Sequence, residues 1–319
     1  MRVQSAIVLA AAALTSACGG KPATKPAAAE PPAASEAPVA SAPATLRDVE
    51  GFKHPESVKY DPGLDVWYVS NINGDPLAKD GNGFISRLKG DGSIDSLEFI
   101  AGGKKDVTLN GPKGMAIVGD TLWVADIDAV RGFDRRTGVP LATVDLKGQA
   151  RFLNDIAAGP DALYVTDSGF GPDGKGGMAH PGPDQVFRIA GGKATLALKN
   201  SALAAPNGIA WDSAGGRFII GPMGGKTIQA WAPNQKKLTP VGDTPGQTDG
   251  LEVVGAGRIL FTSWADSSLD LLQNGKVTPV ATGLASPADI GVDLKDGRIA
   301  IPQLMEDKVA FRQLPAATP

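Results

Sequence analysis

The sequence predicts an all-β protein, a six-bladed β-propeller with four antiparallel strands in each blade. Six similar segments follow one another at intervals of about 40 to 57 residues, which is the range expected for propeller blades. Each segment is followed by a turn rich in Gly or Asp and then by a short β-rich run. The 41 glycines and 25 prolines are typical of many short strands joined by tight turns.

Five of the six repeats carry a polar residue at the same position. The six equivalent residues are Glu56, Lys113, Asn154, Asn207, Asp249 and Ala288. We expect this position to begin the inner strand of each blade, so that the six sites converge at one mouth of the central channel. Asn207-Gly208 would then begin a strand, although Asn-Gly usually marks a hairpin turn.

The last blade is one strand short, because the chain ends soon after the run at residues 308–314. Residues 45–52 precede blade one and have no other partner. We expect them to form the outer strand of blade six, which would close the ring and remove two exposed sheet edges. The propeller is therefore predicted over residues 45–314, with residues 315–319 as a disordered tail.

The N-terminal segment predicts an exported and membrane-anchored protein. Residues 6–14 have the length of a signal-peptide core, and the segment LTSACG at residues 14–19 resembles a lipoprotein cleavage box. We expect a signal peptide over residues 1–18, a lipid on Cys18 and a disordered Ala/Pro-rich tether over residues 19–44. The head would then lie in the periplasm or at the surface of a bacterial cell envelope.

The composition argues against a nucleic acid partner, a membrane-spanning helix and an intramolecular disulfide. The net charge is −3 and no basic run occurs, so we expect no nucleic acid partner. No apolar run reaches the roughly 20 residues of a membrane-spanning helix. Cys18 is the only cysteine, which excludes an intramolecular disulfide. We expect a monomer.

Four residues of the ring carry hard oxygen ligands. Glu56 and Asp249 supply carboxylates, and two asparagines, Asn154 and Asn207, supply amide oxygens. Ca²⁺ prefers this ligand set, and two negative charges balance a divalent cation. We therefore predict a divalent metal site, with Ca²⁺ as the first choice and Zn²⁺ or Mn²⁺ as alternatives. The ring has no thiol and no His, which excludes a Cys/His zinc site.

Two other interpretations of the ring stay open. In the first interpretation, the polar ring residues only form turns, because Asn and Asp favour turns. Glu56 has no such preference. In the other interpretation, the Lys113 ammonium fills the channel mouth and pairs with Glu56 and Asp249 in place of a metal. We expect Asp155 and Asp289, one residue later in their strands, to cap loops or to pair with Lys113.

The motifs, in this order along the chain, resemble the gluconolactonase family of six-bladed propellers, also called the senescence-marker-protein or regucalcin family. The matching motifs are Glu56 to Tyr60, Asn154-Asp155, Pro206-Asn207-Gly208 and Asp249-Gly250. The resemblance covers residues 45–314. It implies that Glu56, Asn207 and Asp249 hold a divalent metal, with Asn154 beside the metal and the substrate. Val58 departs from the family's usual proline, and Arg151 lies three residues before Asn154 where the family often has an Arg two residues before.

The resemblance implies a metal-dependent hydrolase of a lactone or small ester. Asp249 would accept a proton from water, Asn154 would orient the substrate, and Lys113 would bind a carboxylate or phosphate on it. The alternative is a non-catalytic, envelope-anchored propeller that binds a small molecule, a glycan or a protein, because propellers host many functions.

Two long loops are expected at the same mouth as the ring. They span residues 71–83 in blade one and 168–184 in blade three, and both are candidate lids. We expect His180, in the second loop, to be a surface residue and His54 to serve packing. The five tryptophans are expected in the core.

Overall fold

The computed structural model describes residues 44–255 and 257–316. Within these ranges the strands form six four-stranded antiparallel sheets, the six blades of a propeller, which confirms the predicted fold. Cys18, the signal peptide and nearly all of the tether lie outside the described residues. The described ranges contain no helix long and apolar enough to cross a membrane.

The first three blades run in chain order from the channel outward. Blade one contains β2 (Pro55–Asp61), β3 (Val66–Asn71), β4 (Phe84–Lys89) and β5 (Ile94–Ala101). Blade two contains β6 (Pro112–Val118), β7 (Thr121–Asp126), β8 (Ala129–Asp134) and β9 (Pro140–Asp145). Blade three contains β10 (Leu153–Ala158), β11 (Leu163–Asp167), β14 (Gln185–Ala190) and β15 (Lys193–Lys199). Its long loop holds a two-stranded hairpin, β12 (Gly171–Pro172) with β13 (Met178–Ala179).

The last three blades follow the same plan. Blade four contains β16 (Pro206–Asp212), β17 (Arg217–Pro222), β18 (Thr227–Trp231) and β19 (Leu238–Asp243). Blade five contains β20 (Thr248–Val253), β21 (Arg258–Ser263), β22 (Ser268–Gln273) and β23 (Lys276–Thr282). Blade six contains β24 (Gly291–Asp293), β25 (Arg298–Gln303), β26 (Lys308–Gln313) and β1 (Thr45–Glu50). Short 3₁₀ turns span Ser201–Leu203 and Leu304–Glu306.

The ring closes through the N-terminal strand, as predicted. β1 pairs antiparallel with β26, with Val49 opposite Val309. Arg312 donates a hydrogen bond to Asp48 across this pair at 2.7 Å. At the C-terminal end, Arg258 donates to the Pro315 carbonyl at 3.0 Å, so residue 315, assigned to the tail from the sequence, contacts blade five.

The core lies between neighbouring blades. Apolar residues of the second and third strands pack against the inner strand of an adjacent blade, and the described residues form six such clusters. Trp67 of blade one, for example, packs edge-on against Phe311 of blade six at a centroid distance of 5.3 Å. Second strands are buried on both faces, whereas outer strands such as β5 are largely exposed. The inner strands therefore have rigid support on both sides.

Candidate metal centre

The five polar residues of the ring line a single cavity. Its volume is about 400 Å³, and its lining includes Glu56, Lys113, Asn154, Asn207 and Asp249. Each of these side chains is at most 5% exposed. The sixth equivalent residue, Ala288, is buried but is not part of the lining. The alignment of the repeats therefore identified correctly which residues of the first five blades occupy equivalent positions at the channel.

A β-bulge turns each polar ring residue away from the sheet. The inner strands of blades one to five all shift register at this point, for example between Pro55 and Ser57 and between Pro206 and Ile209. A bulge leaves one residue unpaired and changes the direction of its side chain. The ring residues sit in these bulges, which frees their side chains to point into the channel.

Strained backbone precedes the inner strands. Four residues without the freedom of glycine adopt left-handed conformations there: His54 (φ 47°), Ala205 (φ 53°), Gln247 (φ 48°) and Ser286 (φ 47°). Such conformations cost about 1–3 kcal/mol each and persist where surrounding structure imposes them. Each of the four carbonyls accepts a hydrogen bond from the residue that follows the second strand of its blade. This hydrogen bond therefore recurs in blades one, four, five and six, and it fixes the backbone two residues before each ring position.

Hydroxyl groups on the second strands satisfy the backbone that the bulges leave unpaired. Ser70 accepts from the Ser57 amide at 2.9 Å, Thr166 accepts from Asp155 at 3.0 Å and Thr262 accepts from Gly250 at 3.0 Å. Thr166 and Thr262 also donate to carbonyls of the next blade. These buried hydroxyls are a sequence signal that was missed, because a Ser or Thr within a β-rich run is unremarkable by itself.

One oxygen of each proposed metal ligand has no hydrogen-bond partner. In the described part of the chain, the buried and unpartnered side-chain atoms include Glu56 Oε2, Asn154 Oδ1, Asn207 Oδ1 and Asp249 Oδ1. A buried polar atom without a partner costs about 1–3 kcal/mol, so four such oxygens in one cavity require an explanation. A hard divalent cation would satisfy oxygens of this kind, and the chemistry of the donor set fits such a metal.

The donors have the mixed character expected of such a site. Two are carboxylates and two are amides, and in the described residues no group of three or more His, Cys, Asp or Glu side chains forms a metal cluster. Asn154 is held in place by its own amide, since Nδ2 donates to Ser168 Oγ at 3.0 Å. This bond assigns the opposite end of the amide, Oδ1, to the cavity.

Electrostatics also favour a cation between the two carboxylates. Burial raises the pKa of Glu56 well above its usual value, and the Asp249 carboxylate beside it raises it further. Burial and the neighbouring Asp289 raise the pKa of Asp249 in the same way. Lys113 opposes the shift at Glu56. Negative charge buried at this mouth is therefore costly, and a further positive charge there would reduce that cost.

Lys113 does not pair with either carboxylate. Its ammonium donates to the Gly111 carbonyl at 2.9 Å and lies 4.2 Å from the centroid of the Phe152 ring. Among the ion pairs of residues 44–255 and 257–316, none joins Lys113 to Glu56 or Asp249. Burial lowers the pKa of Lys113, while Glu56 and Asp126 oppose that effect. The ion pairs expected if Lys113 replaced a metal are therefore absent from the described residues.

A second charged layer lies next to the ring, and it is organised differently from the prediction. Asp155 accepts from the Ile209 amide at 2.7 Å and Asp289 accepts from Ser57 Oγ at 2.6 Å. Burial lowers the pKa of the nearby Lys59, but Glu252, its ion-pair partner at 2.6 Å, raises it, and Asp289 and Asp155 raise it further, so that the pKa is raised overall. No ion pair of the described residues joins Asp155 or Asp289 to Lys113, so the expected pairing is not found. Both carboxylates instead accept hydrogen bonds from the next blade, which agrees with the structural role that was the alternative expectation.

Residues outside the repeat motif form the walls above the ring. Most are apolar, and they include Ile72, Phe152, Phe170, Met223, Trp264 and Leu304. His54 also lines the cavity, whereas the sequence suggested packing alone. Trp264 lies in this wall and not in the core, with its indole N–H donating to the Pro287 carbonyl at 3.0 Å.

The two long loops border the site, as predicted. Gly74 and Pro76 of the first loop and Phe170 and Met178 of the second line the cavity. The loops also enclose an adjoining cleft of about 700 Å³ that contains Arg151. His180 is partly exposed and bonds to the Asp184 carboxylate at 2.7 Å, so it supports the second loop.

The fold and site define a six-bladed propeller with a buried cluster of oxygen donors at one channel mouth. It is similar to a gluconolactonase from Xanthomonas campestris, with a TM-score of 0.63 and 18% identity over 85% of this chain and 89% of that chain. It is also similar to a putative gluconolactonase from a structural genomics programme, with a TM-score of 0.61 and 18% identity over 87% of this chain and 95% of that chain. No family model and no curated protein matched the sequence. At this identity the likeness establishes a shared fold.

Proposed function

We propose that this protein is a metal-dependent hydrolase of a lactone or small ester. The observation that carries the proposal is the convergence of four buried, unpartnered oxygens in one cavity. Glu56, Asn154, Asn207 and Asp249 would hold the cation, with Ca²⁺ as the first choice because every donor is a hard oxygen. The similarity in fold to gluconolactonases supports the reaction class.

The bound cation would supply Lewis acidity, which polarises the carbonyl group under attack. The protein's own side chains would accept the proton and orient the substrate. The unpartnered Asp249 Oδ1 would accept a proton from the attacking water, and Asn154 would orient the substrate. Lys113 would contribute positive charge near the acyl oxygens, because it is one of the residues that line the same cavity.

Melting experiments on the purified protein test the metal site. After chelation, added Ca²⁺, Zn²⁺ or Mn²⁺ should raise the melting temperature saturably, by about 5 to 10 °C at a hundredfold excess over Kd. Glu56→Gln and Asp249→Asn should lose this rise. Asp270→Asn is the matched control, because Asp270 is a buried carboxylate of the same blade with an unpartnered Oδ1 and is not in the cavity lining.

Hydrolysis is then measured against a lactone and ester panel in the presence of the stabilising cation. A wild-type protein that responds to none of the three cations would overturn the metal site. A protein that binds the cation but hydrolyses nothing in the panel would support the non-catalytic propeller.

We also propose that the propeller is tethered to the bacterial envelope through a lipid on Cys18. The support is the apolar segment at residues 6–14 and the single cysteine that follows it, which lie outside the described residues. Cys18→Ser should move the protein from the membrane fraction to the soluble fraction, and mass spectrometry should find a lipid on the N-terminal peptide of the wild type alone. Equal fractionation of both proteins would refute the anchor.

A further inference from the structure

The walls of the cavity form an apolar collar above the polar ring. We define the collar as the residues that directly follow the second strand of their blade and line the cavity: Ile72, Met223, Trp264 and Leu304. Each donates its backbone N–H to the carbonyl of the residue two positions before the ring position of its blade, at 2.9 to 3.1 Å. The collar is therefore a repeated feature of the fold that places one apolar side chain per blade at the mouth.

Blades two and three do not contribute a collar residue at the equivalent position. In blade three the equivalent residue is Ser168, which holds the Asn154 amide, and Phe170 supplies the apolar wall two residues later. In blade two the equivalent residue is Ile127, which lines the adjoining cleft. Apolar side chains thus surround the ring from nearly every blade.

The residues at the solvent-exposed rim of the cavity are also apolar. Met178 is 50% exposed and Met305 is 67% exposed, and both line the cavity. Flexible thioether side chains adapt to apolar ligands of different shape. Exposed apolar groups beside an apolar cavity mark a surface that a hydrocarbon group would cover.

Few polar groups are available above the ring. The Trp264 N–H is already bonded to the Pro287 carbonyl, which leaves His54 as the polar side chain of the wall. A polyhydroxylated lactone would bury several hydroxyl groups here, and each hydroxyl without a partner costs about 1–3 kcal/mol. A hydrocarbon group would instead gain from leaving water.

We infer that the substrate is a lactone or ester with an alkyl or aryl substituent, and not a polyhydroxylated sugar lactone. This inference rests on the proposed function for the reaction itself, in which one water adds across the acyl C–O bond and a hydroxy acid, or an acid and an alcohol, is released. The carbonyl would face the ring, and the hydrocarbon substituent would contact Phe170, Met223 and Trp264.

Ligands that cannot be hydrolysed test the inference separately from catalysis. Calorimetry on the purified, Ca²⁺-supplemented protein would compare 2-hexyltetrahydrofuran, tetrahydrofuran and 1,5-anhydroglucitol. The hexyl compound should bind roughly 60-fold more tightly than tetrahydrofuran if three methylene groups are buried, at about fourfold for each. The sugar analogue should bind no better than tetrahydrofuran.

A matched pair of variants locates the binding. Met223→Gln keeps the length of the side chain but makes it polar, and it should weaken binding of the hexyl compound by about tenfold. Leu196→Gln on outer strand β15, where Leu196 is 53% exposed, should leave it unchanged. Equal effects of the two variants, or equal affinity for all three ligands, would overturn the inference.

The kinetic comparison uses γ-decanolactone and D-glucono-1,5-lactone. A preference for γ-decanolactone supports both proposals. A preference for the sugar lactone would overturn the apolar assignment and leave the hydrolase intact. Binding of the hexyl compound without turnover of either lactone would overturn the hydrolase and leave the apolar site intact.

Discussion

Gly208 lies directly against the backbone of Asp249 in the neighbouring blade. A Cβ atom at Gly208 would lie 2.5 Å from the Asp249 carbonyl oxygen, which is closer than real Cβ contacts allow. Gly250 approaches Asp289 of the next blade in the same way. The glycines after Asn207 and Asp249 are therefore required by the close approach of inner strands around the channel, and not by a hairpin turn.

Gly208→Ala should separate two adjacent ring residues. We expect a loss of about 1–3 kcal/mol in the free energy of unfolding, because the new methyl group forces the inner strands apart. The stabilisation by Ca²⁺ should fall with it, since Asn207 and Asp249 move relative to each other. Urea unfolding with and without Ca²⁺ measures both effects. Gly171→Ala is the control, because its Cβ would meet nothing nearer than 3.8 Å, and equal losses in the two variants would contradict the prediction.

Asn207→Ala should abolish hydrolysis with little loss of fold. The substitution removes an oxygen that has no hydrogen-bond partner, so the melting temperature without metal should change by only a few degrees. Asn207→Asp keeps an oxygen at this position and should retain cation binding. Turnover by Asn207→Ala at the wild-type rate would show that the ring is not the reaction site.

Ser168 should act on the metal site through Asn154. Its hydroxyl accepts from Asn154 Nδ2 and donates to the Pro206 carbonyl. Ser168→Ala should raise the Kd for Ca²⁺ by roughly 10- to 100-fold, as loss of a group that orients a ligand usually does. Calorimetric titration gives this Kd independently of stability.

Ser263→Ala is the control for Ser168→Ala. Ser263 ends the second strand of blade five and donates to the Gly246 carbonyl at 2.9 Å, without bonding to a ring side chain. It should lose a comparable amount of stability and keep the wild-type Kd. If both variants changed the Kd equally, Ser168 would have only a general structural role.

Ionisation of Asp270 should lower the stability of the folded protein as pH rises. Burial raises the pKa of Asp270 to about 6 in the folded protein, against 3.8 for the ordinary carboxyl. Its contribution to stability is therefore complete below about pH 4 and is lost as pH rises through about 6. Asp270→Asn removes this titration, so it should be more stable than the wild type at pH 7 to 8.

The advantage of Asp270→Asn should shrink toward pH 4, as followed by thermal melts between pH 4 and 8 in the presence of chelator. Asp106→Asn on an exposed turn should give the wild-type pH dependence. A constant difference between Asp270→Asn and the wild type at every pH would show that the carboxyl does not titrate in this range.

The fold and the ring register were predictable because they depend on local pattern. Each blade is a meander of consecutive strands, so a repeated sequence segment translates into a repeated blade. The unpaired segment at residues 45–52 and the incomplete last blade predicted ring closure, which the pairing of β1 with β26 confirms. The equivalence of Glu56, Asn154, Asn207 and Asp249 followed from the same alignment, and all four line one cavity.

The surroundings of the ring were not predictable in this way. Met223 and Leu304 occur beside β-rich runs and are indistinguishable from ordinary core residues in sequence. Trp264 was assigned to the core for that reason. Their position on the cavity wall depends on how the loops of separate blades meet at the mouth, which no single repeat encodes.

The number of blades, the closing strand and the residue types at the channel mouth were predictable from the sequence, because strand patterns and the order of the repeats are visible along the chain. The tertiary structure decided which charges face each other. Lys113 and Lys59 are both near buried carboxylates, yet Lys113 is turned to Gly111 and Phe152, while Lys59 pairs with Glu252. That difference arises from side-chain packing between blades, which directs the Lys113 ammonium to the Gly111 carbonyl and the Phe152 ring, while one oxygen of each proposed metal ligand has no hydrogen-bond partner.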